Sequence, residues 1–351
     1  MDIELLWERA RIIREVRAFF DKRNYLEADT PLLAPDLIPE TCLEVFETAY
    51  LAPENSRVRK TKPYWLIPSP EIWMKRLIAR HRTSLYQICK CFRNGESTGR
   101  LHSPEFTMLE YYTMDAGYED SLRITEELFA RLLGTETAEG QSPLRPPFLH
   151  ITMEEAFTRW AGFSLFEAAE GGTLGAEARK LGLDPTPDLD TAALYDLIFI
   201  HAVEPSLPRD RAVALMDYPA FVPCLAQKRP DGKTVERWEL YVQGIELANC
   251  YSEETDPEEI RRYFEREGAL KAKTALVPHA SDRDYWKLFQ PREAADPSKG
   301  NPSQPGEAEG FSKGKTKGFP PCSGVALGLD RLIMALTGRS TIDSVLPFPM
   351  Q

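Results

Sequence analysis

The sequence predicts an α+β fold in which helices flank an antiparallel sheet. Three observations carry that expectation. Short β-type apolar runs sit beside one another as hairpin neighbours, at 85–92 with 106–112 and at 238–242 with 245–251. Other segments repeat apolar residues at helical spacing. The two kinds alternate without the strand–helix–strand regularity of a parallel sheet.

The first element expected is a helix over 4–22, where Leu5, Leu6, Ile12, Ile13, Val16, Phe19 and Phe20 interleave with charges. That pattern is an amphipathic helix and not a signal peptide. Strands follow at 64–67, 85–92, 106–112, 212–216, 238–242 and 245–251, and helices at 70–80, 119–133, 153–160, 190–202, 257–272 and 328–337. Residues 293–318 are dense in Pro, Gly, Ser, Lys and Glu with almost no large apolar side chain. Such a segment buries too little surface to offset the entropy of ordering it, so a flexible insertion is expected there.

The chain has 351 residues, with 43 Lys and Arg against 54 Asp and Glu, a net charge of −11. This balance weighs against a tRNA or DNA ligand, which calls for a basic footprint. No run is long and apolar enough to span a bilayer. The six cysteines (42, 89, 91, 224, 250, 322) form no Cys-x-x-Cys pair, and Cys89 and Cys91 share a strand face. They read as reduced thiols in a cytoplasmic protein, in preference to a zinc site.

The most informative stretch runs from Phe92 to Glu110, where a polar loop joins two strands and carries Arg93, Glu96, Arg100, His102 and Phe106. Guanidinium forks pair with phosphate oxygens, and an aromatic face offers stacking to a base. A second stretch, Cys322 to Met334, has small residues at Gly324, Ala326 and Gly328, then enters a helix-like run bearing Asp330 and Arg331. Small residues let backbone approach a ligand closely. Glu246 lies among Ile245, Leu247 and Ala248, where an unpaired charge would be costly, so a positive group is expected opposite it.

Together the two stretches resemble motifs 2 and 3 of class II aminoacyl-tRNA synthetases. Arg17 to Leu33, with Phe20, Tyr25 and Thr30-Pro31-Leu32-Leu33, looks like motif 1, which builds the dimer interface in that family. Ser69 to Leu77, His102 to Glu110 and Gly244 to Glu253 resemble lysyl-tRNA synthetase segments in the same order. The motif 1 helix begins almost at Met1, with no anticodon-binding barrel ahead of it. That layout is similar to the elongation factor P lysine ligases, paralogues that attach (R)-β-lysine to a lysine of elongation factor P.

The resemblance implies a single class II catalytic domain over 1–351, ATP and Mg²⁺ as cofactors, a homodimer, lysine or (R)-β-lysine as substrate, and elongation factor P as acceptor. It implies that Arg93 and Arg331 are catalytic. The nucleotide set is Arg93, Asn94, Glu96, Arg100, His102, Ser103, Phe106, Glu246, Leu247, Gly328 and Arg331, with Phe106 stacking on adenine and Arg331 covering its other face. Glu239 and Glu246 would hold Mg²⁺. Ser69, Pro70, Glu71, Tyr112, Asn249, Glu253 and Ala326 would hold the amino acid, with Glu71 on the amino group near the carboxylate and Glu253 and Tyr112 on the distal ammonium. Ala326 replaces a lysyl-tRNA synthetase glycine, as in the ligases that use β-lysine.

Three departures are visible: Glu96 follows Arg93 by three positions instead of two, Ser103 replaces an asparagine, and Cys250 replaces a glycine. Two other readings stay open: a synthetase-like enzyme loading lysine onto tRNA or another amine, and a non-catalytic paralogue acting as a binding module. Retention of Arg93, Glu239, Glu246 and Arg331 argues against the last.

Overall fold

The computed structural model describes residues 2–52, 60–96, 99–134, 142–291 and 318–349. Helix α1 (Ile3–Asp21) starts where the Asp2 side chain accepts the Glu4 N–H, and it buries Leu5, Ile12, Val16, Phe19 and Phe20, the stripe its sequence spacing set out. Two short strands follow, β1 (Leu26–Glu27) and β2 (Leu33–Ala34), then β3 (Glu47–Ala52), β4 (Lys60–Leu66), α2 (Glu71–His81), β5 (Leu85–Phe92), β6 (Glu105–Met114) and α3 (Tyr118–Leu133). The middle of the chain holds β7 (Leu149–Thr152), α4 (Met153–Ala156), α5 (Leu165–Glu170), α6 (Leu174–Lys180) and α7 (Thr191–Ile198). Strands β8 (Ala212–Pro219), β9 (Thr234–Val242) and β10 (Ile245–Ser252), helix α8 (Pro257–Thr274), strand β11 (Cys322–Gly328) and helix α9 (Leu329–Leu336) complete the chain.

The main sheet has the order β1-β5-β6-β11-β10-β9-β8-β7. Its six central strands are antiparallel, as expected, but β1 joins β5 and β7 joins β8 in parallel, so the sheet is mixed. Those edge pairings span two and four residues, too few to leave a period in the sequence. A separate three-stranded sheet, β2-β4-β3, stands beside it. Of the expected insertion at 293–318, only Gly318 lies within the described residues.

Strand alternation gives the sheet two unlike faces. Leu109, Tyr111, Trp238, Leu240, Cys250, Val325 and Leu327 point one way and pack with α1, α3 and α9 in the largest core. On the other face, α4 to α7 cover the β7–β9 end, with Phe157, Leu165, Tyr195 and Ile198 against Val213, Leu215 and Tyr241. At the opposite end, Ile72, Met74 and Ile78 of α2 and Ile260 and Phe264 of α8 join Leu85 and Tyr112. The middle of this face is left open as a cleft.

Candidate active site

The cleft floor is a set of registered pairs. Across β9, β10, β11 and β6, Glu239 opposes Asn249, Asn249 opposes Ala326, and Ala326 opposes Glu110, while Tyr251, Gly324 and Tyr112 form the next row. Glu246 lies three residues before Asn249 and would face away in a regular strand. The register shifts between Glu246 and Ala248, so Leu247 is a bulge that returns Glu246 to the face of Glu239.

One cavity of ≈ 340 Å³ is lined by Arg93, Glu96, His102, Ser103, Phe106, Glu239, Glu246, Leu247, Gly328 and Arg331. Arg331 donates from Nε to the Leu101 carbonyl (3.2 Å) and from Nη1 to the Glu246 carbonyl (2.8 Å), which fixes its guanidinium across the cavity. The helix that carries it is anchored by the adjacent buried Asp330, which accepts the Thr107 N–H (2.6 Å) and pairs with Arg9 of α1 (2.6 Å). The Arg93 guanidinium lies 5.3 Å from the Phe106 ring centroid, and its Nε is buried without a hydrogen-bond partner among the described residues. Arg93 and Phe106 thus stand side by side on the cavity wall.

Burial, then the neighbouring Glu239, pushes the Glu246 carboxyl up to about 7, against the pull of Arg331 and Arg93. These arginines are the positive groups expected opposite Glu246. Glu239 accepts hydrogen bonds from Arg237 (2.5 Å) and Tyr241 (2.8 Å). Two neighbouring carboxylates lining a cavity that also bears Arg93 and Arg331 suit Mg²⁺, which usually takes one or two carboxylates with phosphate and water. Among the described residues no group of three or more His, Cys, Asp or Glu converges as a metal cage. His102 is pushed down by burial and by Arg331, so it faces the cavity as a neutral imidazole at neutral pH.

A second cavity of ≈ 450 Å³ shares Glu40, Cys42, Arg93, Met108, Arg237, Asn249 and Ala326 with the first. Its walls carry Ser69, Glu40, Glu71, Glu110, Tyr112 and Glu253. Lys75 of α2, wholly buried, lies 2.5 Å from both Glu71 and Glu253. Its ammonium is held well above the ordinary lysine range: desolvation opposes the charge, but Glu253 and Glu71 outweigh it. One ammonium cannot neutralise two buried acids, so Lys75 keeps its proton and Glu253 is pushed up to about 8, chiefly by burial. Glu110, also buried, accepts from Tyr112 Oη (2.8 Å) and is raised by burial and by Glu71, with Oε2 left unpartnered among the described residues.

Gly324 has a steric reason to be glycine: a Cβ there would stand 2.5 Å from the Tyr112 ring and 2.6 Å from Glu253 Oε1. Gly324→Ala should raise KM for the amino acid by about tenfold or more, with a much smaller effect on KM for ATP. Steady-state exchange kinetics check this, and equal changes in both constants would contradict it.

Most of the residues singled out in the sequence thus converge on one cleft. Three do not line it. Pro70 is the N-cap residue of α2, the Asn94 side chain donates to the Val45 carbonyl (3.2 Å), and Arg100 donates to the Ser340 carbonyl (2.7 Å). Lys75, Glu110, Arg237 and Glu40 were missed. Lys75 was findable, since it follows Glu71 by four residues on an expected helix and so shares its face. Glu110 alternates with Met108 and Tyr112, whereas Glu40 sits in a loop with no periodic signal.

The chain matches the family described as tRNA synthetases class II (D, K and N) over residues 3–351. Among similar proteins are three described as elongation factor P–(R)-β-lysine ligase. Those from Vibrio atlanticus and Avibacterium paragallinarum are each 34% identical, over 99% of this chain and 96% of the relative. That from Pasteurella multocida is 31% identical over the same shares. The chain belongs to the class II tRNA synthetase family and, within it, to the family of the elongation factor P–(R)-β-lysine ligases.

Proposed function

We propose that this protein, as a single catalytic domain, activates (R)-β-lysine with ATP and transfers it to a lysine side chain of elongation factor P. The observation that carries this reading is the second cavity, where Glu40, Glu71, Glu110 and Glu253 line the wall and Lys75 pairs with two of the four, beside a cavity bearing Arg93 and Arg331. A surplus of buried carboxylates is costly unless a cation compensates it, and a diamino acid brings two.

In the first step a carboxylate oxygen of the amino acid attacks the α-phosphorus of ATP, the bond to the bridging oxygen breaks, and pyrophosphate leaves. Arg93, shared by both cavities, holds the two anions together, and Arg331 offsets charge on the departing phosphates. His102, Ser103 and Glu96 orient the nucleotide, with Phe106 against adenine and Leu247 and Gly328 lining its bed. Asn94 and Arg100 shape the loop through the Val45 and Ser340 carbonyls. Glu239 and Glu246 would hold Mg²⁺, which when bound would further neutralise the polyphosphate. Glu71 takes the amino group near the carboxylate, Glu253 and Tyr112 the distal ammonium, and Ser69, Asn249 and Ala326 shape the pocket, while Pro70 sets the start of α2.

No helix among the described residues is long and apolar enough to cross a membrane. The six unpaired cysteines support a reducing, cytoplasmic setting. Support for a homodimer comes from the segment that resembles motif 1, where Leu26, Leu32 and Leu33 expose 52%, 37% and 46% of their surface, and from Ile3 and Trp7, exposed by 63% and 67% on the helix that leads into it. The test of acceptor is aminoacylation of purified elongation factor P against bulk tRNA. Modification of the protein supports the proposal, and charging of tRNA alone favours the other acceptor.

Binding should depend on pH. Glu253 is raised from 4.5 to about 8 in the free protein, so its stabilising contribution is complete below 4.5 and is lost as pH rises through 8. A bound ammonium favours the ionised form and expels the proton. Affinity for (R)-β-lysine should therefore rise between about pH 6 and 8, by up to about tenfold per unit. Calorimetry in buffers of different ionisation enthalpy reads the proton released; uptake of a proton would contradict this.

A further inference from the structure

Among the described residues Glu40 is the single carboxylate that lines both cavities, and it does so from a loop outside the sheet. Activation places the amino acid in one cavity and AMP in the other, so their mixed anhydride lies at the junction. We infer that Glu40 is the base that receives the acceptor lysine there and takes its proton in the transfer step. This rests on the proposed function.

The loop is built to hold that position. Lys271 of α8 donates to the carbonyls of Glu40 (2.7 Å) and Leu43, Thr41 donates to Glu267 (2.9 Å), and the Asn94 N–H donates to the Glu44 carbonyl (2.9 Å). Of the other acids lining the second cavity, Glu71 and Glu253 pair with Lys75, Glu110 accepts from Tyr112, Asp190 caps α7 and Glu267 accepts from Thr41; none of these, nor Asp196, lines the first cavity. Groups facing Glu40 are Glu71 and Lys75 from α2, Arg93, Lys271 and Tyr263 from α8, Tyr251 from β10, and Cys42 from its own loop. Burial and Glu71 raise its carboxyl to about 7, near the value a base needs at neutral pH.

A lysine ammonium has no lone pair with which to attack. It gives one proton to Glu40, and the freed nitrogen bonds to the anhydride carbonyl carbon. The bond from that carbon to the phosphate oxygen breaks, AMP leaves with the electron pair, and the second nitrogen proton passes to phosphate or water. No oxidant or further reactant is required.

The experiment compares Glu40→Gln with the wild type in pyrophosphate exchange with (R)-β-lysine, in transfer to elongation factor P, and in capture of the adenylate by hydroxylamine, which is unprotonated at neutral pH. We expect transfer to fall at least about tenfold more than exchange or hydroxamate formation, with loss of the rise in transfer rate near pH 7. Lys271→Met, which loosens the loop but keeps the carboxylate, should retain that rise, displaced to higher pH because Lys271 pulls the Glu40 carboxyl down. Equal losses in all three reactions, or a rise near pH 7 that survives Glu40→Gln, would overturn the assignment. Absence of exchange in the wild type would instead overturn the function on which it rests, and Glu40 with it.

Discussion

Replacing Lys75 by methionine should destabilise the protein by about 3–5 kcal/mol, the range for stripping one partner from a buried ion pair. Methionine fills much the same space, so the loss is one of charge rather than volume. Its removal leaves Glu71 and Glu253 facing each other beside Glu110, in a site where Glu253 is 1% exposed. Acids in that state have raised folded pKa values, so the deficit should be largest at neutral and higher pH and shrink as pH falls towards 4.5 and they become neutral. Urea unfolding at several pH values reads both effects. A change under about 1 kcal/mol at pH 7, or a deficit that grows on acidification, would show that Lys75 is not the counter-charge of the pocket.

Arg331→Ala should lower pyrophosphate exchange by about 10³-fold or more while leaving the fold in place. Fixed cations on a polyphosphate supply effects of that size in phosphoryl transfer. Two carbonyls, of Leu101 and Glu246, hold the guanidinium, and Nη2 has no hydrogen-bond partner among the described residues, so one corner of the fork is left to a ligand. Arg331→Lys should recover little, because an ammonium cannot make both carbonyl contacts and still present a donor. Exchange kinetics with a thermal melt as control decide the matter. Activity within a few-fold of wild type would mean that this arginine only props the loop at Leu101.

Much of this was legible in the sequence because the central strands alternate cleanly. Strand β5 matched its expected limits, and β6 and β10 lie over theirs, since a strand with one core face and one polar face writes its period into the chain. The first four residues of β9, Thr234 to Arg237, were missed because Thr, Glu and Arg mask the pattern, yet Arg237 there reaches Glu239 and Asn249. Helices α5 and α6, of six and seven residues, were too short to show a face. The spacing of Lys75 from Glu71 was legible on the expected helix, but its pairing with Glu253 exists only because α2 meets the end of β10. Glu40 depends on a loop held by α8, a contact between residues 231 positions apart that no local pattern encodes.

The account stands on a carboxylate-rich pocket choosing its substrate by charge. Pyrophosphate exchange with (R)-β-lysine, α-lysine and norleucine, which is lysine with the distal ammonium removed, tests this most directly. Exchange with (R)-β-lysine, weaker exchange with α-lysine and at least about 10³-fold less with norleucine is the predicted result. Norleucine activated as well as either lysine would contradict it.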